Sequence, residues 1–360
     1  MYRRKKILFI TGSLNQTSQM HQIASRLPEY DCYFSQLYSK HPFTQAVVRS
    51  GLLDSTILGG EFRRKADAYL VHHQLRNDYA RSVYYNEYEM AVLCTDLLVP
   101  EDLRGLKTVW VQEGMTDPIT PWARWTRSLG LPPYWAMNTA FNGCGNICDL
   151  YCAASMGYKE QFSHWGTEAA RIFVTGIPNY DHAAIFLHNG FPRRGYVLAA
   201  TSDARETFKK DDRKEFIAKC VAIAGGRPLI FKLHPNEKKQ RAISEIRRWA
   251  PSDTLIYTEG NTEHIIANCE ELITQYSTVV YTGIALGKKV HSYFDVDKLK
   301  KLAPIQNGGT SAGNIAALCR RYIEFRGTRS EFISMHLHEP ERTIGHNRYS
   351  DAERVFPVAG

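Results

Sequence analysis

The sequence predicts an α/β protein made of two doubly wound domains facing across a cleft, and three observations carry that prediction. The 360 residues are 44% hydrophobic and 23% charged, an ordinary globular composition at a length that suits two domains better than one. Short apolar runs rich in β-branched and aromatic residues alternate with amphipathic stretches, which is the pattern of βαβ units and parallel sheets. That alternation breaks off and restarts near residue 190. Disordered, fibrous and small disulfide-stapled classes are excluded by the same composition.

The elements follow in order along the chain. The opening Met1-Tyr2-Arg3-Arg4-Lys5-Lys6 has the basic start of a signal peptide, but the apolar run Ile7-Leu8-Phe9-Ile10 ends after four residues, so a first strand is predicted at 6–11. Further strands are predicted at 31–37, 90–95, 108–112, 150–153 and 171–175, with helices at 18–27 and over the long run 61–83. Residues 113–143 are rich in Pro and Trp with little periodicity, and read as a long functional loop or a short-helix insertion. The cluster of His188, Asn189, Gly190, Pro192, Arg193, Arg194 and Gly195 reads as a linker. Strands resume at 195–200, 228–233, 254–258, 271–274 and 289–293, separated by helices. The expected domains are therefore 1–187 and 188–330, with a C-terminal extension at 331–360 that packs back on the first.

No apolar run approaches the roughly 30 Å of a spanning helix, so a protein not integral to the membrane is expected. The eight cysteines lie mostly in apolar runs without the spacing of a secreted framework, which points to reduced thiols and a cytoplasmic site. Cys144, Cys148 and Cys152 would share one helical stripe if 142–153 were helical, and buried apolar packing is their expected role. Lys and Arg exceed Asp and Glu by 45 to 37, a charge of +8 that favours polyanionic partners. No Lys/Arg-rich stripe singles out nucleic acid, which is not an expected partner.

Ligands of open α/β sheets bind at the carboxyl ends of strands, so the loops after strands hold the candidates. After the first strand, Gly12 and Ser13 stand where backbone amides could cradle an anion, with Ser18 as the expected helix cap. Gly12 belongs to no G-x-G-x-x-G, which excludes nicotinamide binding as the natural reading. In the second half, Lys232 and His234 end a buried strand and suit a phosphate or a departing diphosphate. Gln275, Ser277 and Thr278 open the next such turn but one, where hydroxyls either bind a diphosphate or cap a helix.

Three motifs together, Val174-Thr175-Gly176-Ile177-Pro178-Asn179-Tyr180-Asp181, Lys232-Leu233-His234-Pro235 and Ile273-Thr274-Gln275-Tyr276-Ser277-Thr278, resemble the C-terminal half of the GT-B superfamily. Within it the chain is similar to CDP-glycerol glycerophosphotransferases and UDP-N-acetylglucosamine 2-epimerases. The resemblance implies two Rossmann-like domains, a nucleotide diphosphate held mainly by the second, and no cofactor or metal. It places Thr201, Ser202 and Arg205 on the donor phosphate side, and Glu259 and Asn261 near the base or ribose. It places the reacting end in the first domain, where Asp96 and Glu113 follow strands, and Val111-Gln112-Glu113-Gly114-Met115 looks like the epimerases' His-x-Glu-Ala-Gly-Leu run. Glu113 could serve as general base, or be salt-bridged to Arg124 or Arg127.

Departures order the readings. The epimerases' glycine-rich Ser-Gly-Gly-x-x-Glu-Glu loop is here Gln275-Tyr276-Ser277-Thr278, and Arg124, Trp125 and Arg127 stand where a further acid would be sought. In place of the glycerophosphotransferases' acid near that loop are Tyr281 and Thr282. The first expectation is a glycosyltransferase that passes a sugar from a nucleotide-sugar donor to a glycan, lipid-linked or other hydroxyl acceptor, for surface polysaccharide or glycoconjugate synthesis, with peripheral membrane association. The catalytic residues would be Glu113, Asp96 and His234. An epimerase-like isomerase or hydrolase, and a non-catalytic nucleotide-sugar binder, remain the alternatives.

Overall fold

The computed structural model describes residues 3–51, 56–103, 105–136, 138–206 and 211–337, the side chain of Phe43 excepted. Two compact units emerge, one formed by the chain up to Asp181 and again from Pro304, the other by His182–Ala303. Both boundaries differ from the expected 188 and 331. The physical reason for the second difference is apolar: the helices after Pro304 bury their hydrophobic faces on the first sheet.

The first unit opens β1 (Lys6–Thr11), α1 (Leu14–Ala24), β2 (Asp31–Gln36), α2 (Pro42–Arg49), α3 (Gly60–His72) and β3 (Met90–Leu93). It continues through β4 (Lys107–Val111), α4 (Pro121–Ser128), β5 (Leu150–Ala153), α5 (Met156–His164) and β6 (Ile172–Val174). Its strands form one parallel sheet in the order β2-β1-β3-β4-β5-β6. The order reverses between β1 and β3, so the loops after these strands flank the topological switch point at which such sheets bind ligands. Strands buried on both faces explain why near-continuous apolar runs marked them in the sequence.

The second unit holds β7 (Tyr196–Ala200), α6 (Arg213–Ala224), β8 (Leu229–Lys232), α7 (Lys239–Trp249) and β9 (Leu255–Tyr257), then α8 (Thr262–Asn268), β10 (Cys269–Thr274), α9 (Val280–Ala285), β11 (Lys289–His291) and α10 (Val296–Leu302). Its parallel sheet runs β11-β10-β7-β8-β9, with the switch point between β7 and β10. Asp212, Asn261 and Asp295 cap the starts of α6, α8 and α10 through side-chain oxygens. The chain then returns to the first unit as α11 (Ser311–Glu324) and α12 (Arg329–Leu337). Ile315, Leu318, Cys319, Tyr322 and Phe332 join Ile7, Phe9, Val92 and Val109 in one core.

All eleven predicted strands are present, whereas two helical expectations are corrected. The helix expected at 18–27 starts at Leu14, because Ser13 and not Ser18 caps it: Ser13 and Gln16 form a capping box. The helix expected over 61–83 ends at His72, where Gln74 turns to φ 53° and the chain folds back so that Asn77 bridges Phe34. Residues 142–149 form turns before β5, so Cys144, Cys148 and Cys152 make no helical stripe, although all three are buried free thiols. Of the expected extension, 331–337 lies in α12, and 338–360 lies outside the described residues.

Candidate functional site

Each unit carries its chemistry at the carboxyl ends of its strands. In the first, β4 ends at Val111 and delivers Glu113 toward the start of α1. Glu113 accepts hydrogen bonds from the Ser13 hydroxyl at Oε1, 3.1 Å, and from the Gln16 amide at Oε2, 2.7 Å. The capping box that starts α1 thus also holds the carboxylate, with the positive helix terminus beside it. Gln16 was missed in the sequence, although Ser13-x-x-Gln16 is the signature of such a box. Burial raises the Glu113 pKa, against the pull of the Gln16 and Ser13 hydrogen bonds.

Neither Arg124 nor Arg127 pairs with Glu113 among the described residues. The Arg127 guanidinium lies 4.9 Å from the centroid of the Phe141 ring and donates to the Trp165 carbonyl. The anion cradle expected of Gly12 and Ser13 is likewise corrected. Ser13 is spent on Glu113 and on the N–H of Gln16, so the anion at this helix start is the protein's own carboxylate. Gly12 is needed for space, since a Cβ there would stand 2.6 Å from Cβ of Ile57.

Asp96, at the end of β3, has a different part. It is 2% exposed, and its carboxylate accepts from the Gly143 N–H at 2.7 Å and the Tyr151 hydroxyl at 3.2 Å. Its own N–H donates to Asn142. Burial pushes its pKa up to about 6, opposed by those hydrogen bonds. The group clamps the 142–145 turn onto the sheet, which corrects its expected role as an alternative base.

In the second unit, three loops beside β7 are tied together. Thr201 donates to Glu237 at 2.6 Å and accepts from the N–H of His234 at 3.0 Å. Ser202 donates to Gln275 at 3.1 Å, and Gln275 donates in turn to Asp211 at 2.6 Å. Thr201, Ser202 and Gln275 are all buried and hold one another's loops through these hydrogen bonds. Arg205 is also reassigned. Its guanidinium grips both oxygens of Glu245 at 2.9 and 2.8 Å and lies 3.2 Å from Asp211. Arg213 completes the cluster, 2.6 Å from Glu237 and 3.1 Å from Asp211, both of whose side chains are fully buried. Three carboxylates therefore surround these two arginines.

Lys232 stands apart from that cluster. It is 4% exposed at the end of β8, its ammonium donates to the Leu233 carbonyl at 3.0 Å, and it pairs with no carboxylate among the described residues. Burial lowers its pKa, with the Lys239 charge acting in the same direction. His234, half-buried on the following turn, accepts the N–H of Asn236 at Nδ1, and Asp203 lies 3.7 Å away. That bond leaves the proton of the neutral ring on Nε2. After β10, Ser277 and Thr278 are half-buried, and neither hydroxyl caps α9, whose N-cap is Val279. Capping therefore does not account for them.

Beside β9, a cavity of about 280 Å³ is lined by Phe191, Tyr257, Glu259, Gly260, Asn261 and His264, among others. The Phe191 and Tyr257 rings lie 5.5 Å apart. The Asn261 side chain caps α8 by accepting the His264 N–H, and Glu259 is exposed beside Lys239, so what these two residues offer the cavity is chiefly backbone. Phe191, in the expected linker, was not singled out as a lining residue.

No protein-family model and no curated protein matches the chain. Solved structures do. A candidate UDP-N-acetylglucosamine 2-epimerase from Listeria monocytogenes aligns with TM-score 0.57 and 13% identity over 91% of this chain and 98% of its own. The UDP-GlcNAc 2-epimerase of Neisseria meningitidis, bound to UDP-GlcNAc, gives 0.55 and 10% over 88% of this chain and all of its own. The Methanocaldococcus jannaschii UDP-GlcNAc 2-epimerase, in complex with UDP-GlcNAc and UDP, gives 0.52 and 13% over 88% and 100%. This likeness shows the fold: two Rossmann-like domains of the GT-B class, as the sequence motifs implied.

Proposed function

We propose that the protein is a nucleotide-sugar enzyme, and specifically a GT-B glycosyltransferase that moves a sugar from a nucleotide diphosphate sugar to an acceptor hydroxyl. The observation that carries this reading is Lys232. A buried lysine that forms no carboxylate ion pair among the described residues, with Glu263 and Glu259 acting on it only through their charges, at a strand's carboxyl end beside the switch strand β7, is a cation that a diphosphate would complete. The Ser277 and Thr278 hydroxyls and the His234 Nε2–H supply donors from the neighbouring loops, and the cavity edged by Phe191 and Tyr257 suits a nucleoside.

In the first unit, Glu113 is the matching base. Such a transfer needs a base for the acceptor's hydroxyl proton, a part that Glu113 suits, and a cation for the diphosphate that leaves with the bonding pair, a part that Lys232 suits; each residue is assigned within its own unit. A raised pKa suits that task, because a stronger base holds the proton better. Activity is then expected to rise with pH along a limb lying above the ordinary glutamate range.

The epimerases of similar fold support a second reading, isomerisation of UDP-N-acetylglucosamine. Proton removal and return at the sugar's second carbon ask for more than one acid–base group, and Asp96 is committed to Gly143 and Tyr151. That favours the transferase. Thermal-shift titration with UDP, CDP and their sugars tests the donor site, because a ligand bound only by the folded state raises its stability. Absence of any shift across that panel overturns the donor reading. Deuterium uptake at the second carbon of UDP-N-acetylglucosamine without acceptor replaces the transferase by the epimerase.

A further inference from the structure

Helix α4 and the turn after it are built inside out. An ordinary surface helix turns its large apolar side chains to the core. In α4 the buried positions are the small Ala123 and Thr126, while Trp122 and Trp125 are 47% and 50% exposed. Leu129, Tyr134 and Trp135, immediately after it, are exposed to a similar degree. The rings are held in place: Trp122 stacks on Trp125 at 4.9 Å and donates its indole N–H to the Trp135 carbonyl at 2.9 Å. By contrast Trp110, on β4, has no exposed surface.

Charge narrows the partner. Residues 118–148 contain no Asp or Glu, and their only charged side chains are Arg124 and Arg127, both exposed. Trp and Tyr, amphipathic and rigid, concentrate at the headgroup level of bilayers, and arginine beside them is drawn to anionic lipid. Stacking on a glycan also uses aromatic rings, but sugar hydroxyls need acceptors, and this stretch has no carboxylate to offer. No described helix is long and apolar enough to cross a membrane, so the face can only lie on one.

We propose that α4 and the Pro133–Ala136 turn form a docking face for an anionic membrane surface, with Trp122, Trp125, Tyr134 and Trp135 entering the headgroup layer and Arg124 meeting lipid phosphates. The inference stands independently of the reaction assigned above.

The test is co-sedimentation of the full chain with vesicles of phosphatidylcholine alone and of phosphatidylcholine mixed with phosphatidylglycerol. Binding is expected to the mixed vesicles, weakening with salt, and to fall about tenfold in both Trp125→Ala and Arg124→Glu. Both side chains are exposed, and circular dichroism confirms that each variant is folded. Brominated lipid in the mixed vesicles is expected to quench wild-type tryptophan fluorescence, and less so that of Trp125→Ala. Four results overturn the proposal: no sedimentation with mixed vesicles, equal sedimentation with neutral ones, variants that bind like wild type, or no bromine quenching. Oligosaccharide quenching without vesicle binding, or a Trp125-dependent dimer without it, would instead assign the face to a glycan or to a second copy.

Discussion

Glu113 in the first unit and Glu237 in the second are both acids whose pKa burial raises, yet their surroundings differ in one respect. Glu237 has Arg213 at 2.6 Å and the Thr201 hydroxyl at 2.6 Å, and its neighbour Asp211 has Arg213 and Arg205. Among the described residues, Glu113 has as side-chain partners the neutral donors Ser13 and Gln16. A carboxylate neutralised by arginine is a fixed part of the scaffold, and its proton affinity is of no use to a substrate. One held in place by neutral dipoles keeps its charge uncompensated and available for proton transfer. Lys232 is the cationic counterpart of Glu113, whereas Arg205 and Arg213 are the counterparts of Glu237.

Five substitutions break or sharpen that comparison. The largest effect is expected from Arg213→Met, which leaves Glu237 and Asp211 buried with one cation fewer and should cost about 3–5 kcal/mol in urea denaturation. Wild-type stability in this variant would mean that the second-unit cluster is no scaffold. Glu113→Gln should leave the denaturation midpoint within experimental scatter while lowering turnover with donor and acceptor by about 10²–10⁴ and removing the acid limb of its pH profile. Unchanged turnover would remove Glu113 from the base role.

Asp96 is the intermediate case, a buried acid that pairs with no cation among the described residues. Its folded pKa lies above the unfolded value, so its contribution to stability is full below about pH 4 and is lost as pH rises through about 6. The shift of about two units corresponds to roughly 3 kcal/mol. Asp96→Asn should abolish that part of the pH dependence measured by denaturation between pH 4 and 7, and an undiminished slope would locate it elsewhere. Lys232→Met should preserve the fold and weaken sugar-nucleotide binding by about 10–100-fold in calorimetry, in keeping with a lost charge-assisted hydrogen bond. Equal affinity would show that the ammonium does not face the donor. The smallest effect is expected for Ser13→Ala, which removes one of two holders of Glu113. A loss of about fivefold in kcat with little change in KM is the expected signature of positioning, and a change confined to KM would contradict it.

The strands were legible because a strand of a parallel sheet is buried on both faces, and its apolar run is written locally, as in Ile7-Leu8-Phe9-Ile10. The candidate loops were legible for a related reason, since they simply follow those runs: Glu113, Lys232, His234, Ser277 and Thr278 were read from the sequence that way. Less legible was where helices begin and end. Ser13 and Ser18 are both plausible caps in sequence, and the choice falls to Ser13 because Gln16 completes the box and Glu113 completes Gln16.

What sequence by itself determined, then, is the class of the fold, the order of its strands along the chain and the residue types at the strand ends. Tertiary structure alone decided which charges are spent. Arg205 reads as a phosphate ligand until Glu245, forty residues on, takes a hydrogen bond from each of its terminal nitrogens. Asp96 reads as a base until Gly143, forty-seven residues away, takes its oxygen. Ser13 and Glu113 are a hundred residues apart and meet only because β1 and β4 lie in one sheet, with β3 between them. Periodicity is local because burial acts on each residue's own side chain. Electrostatic compensation is a property of pairs, and the pairs form only when the sheet brings distant strand ends together.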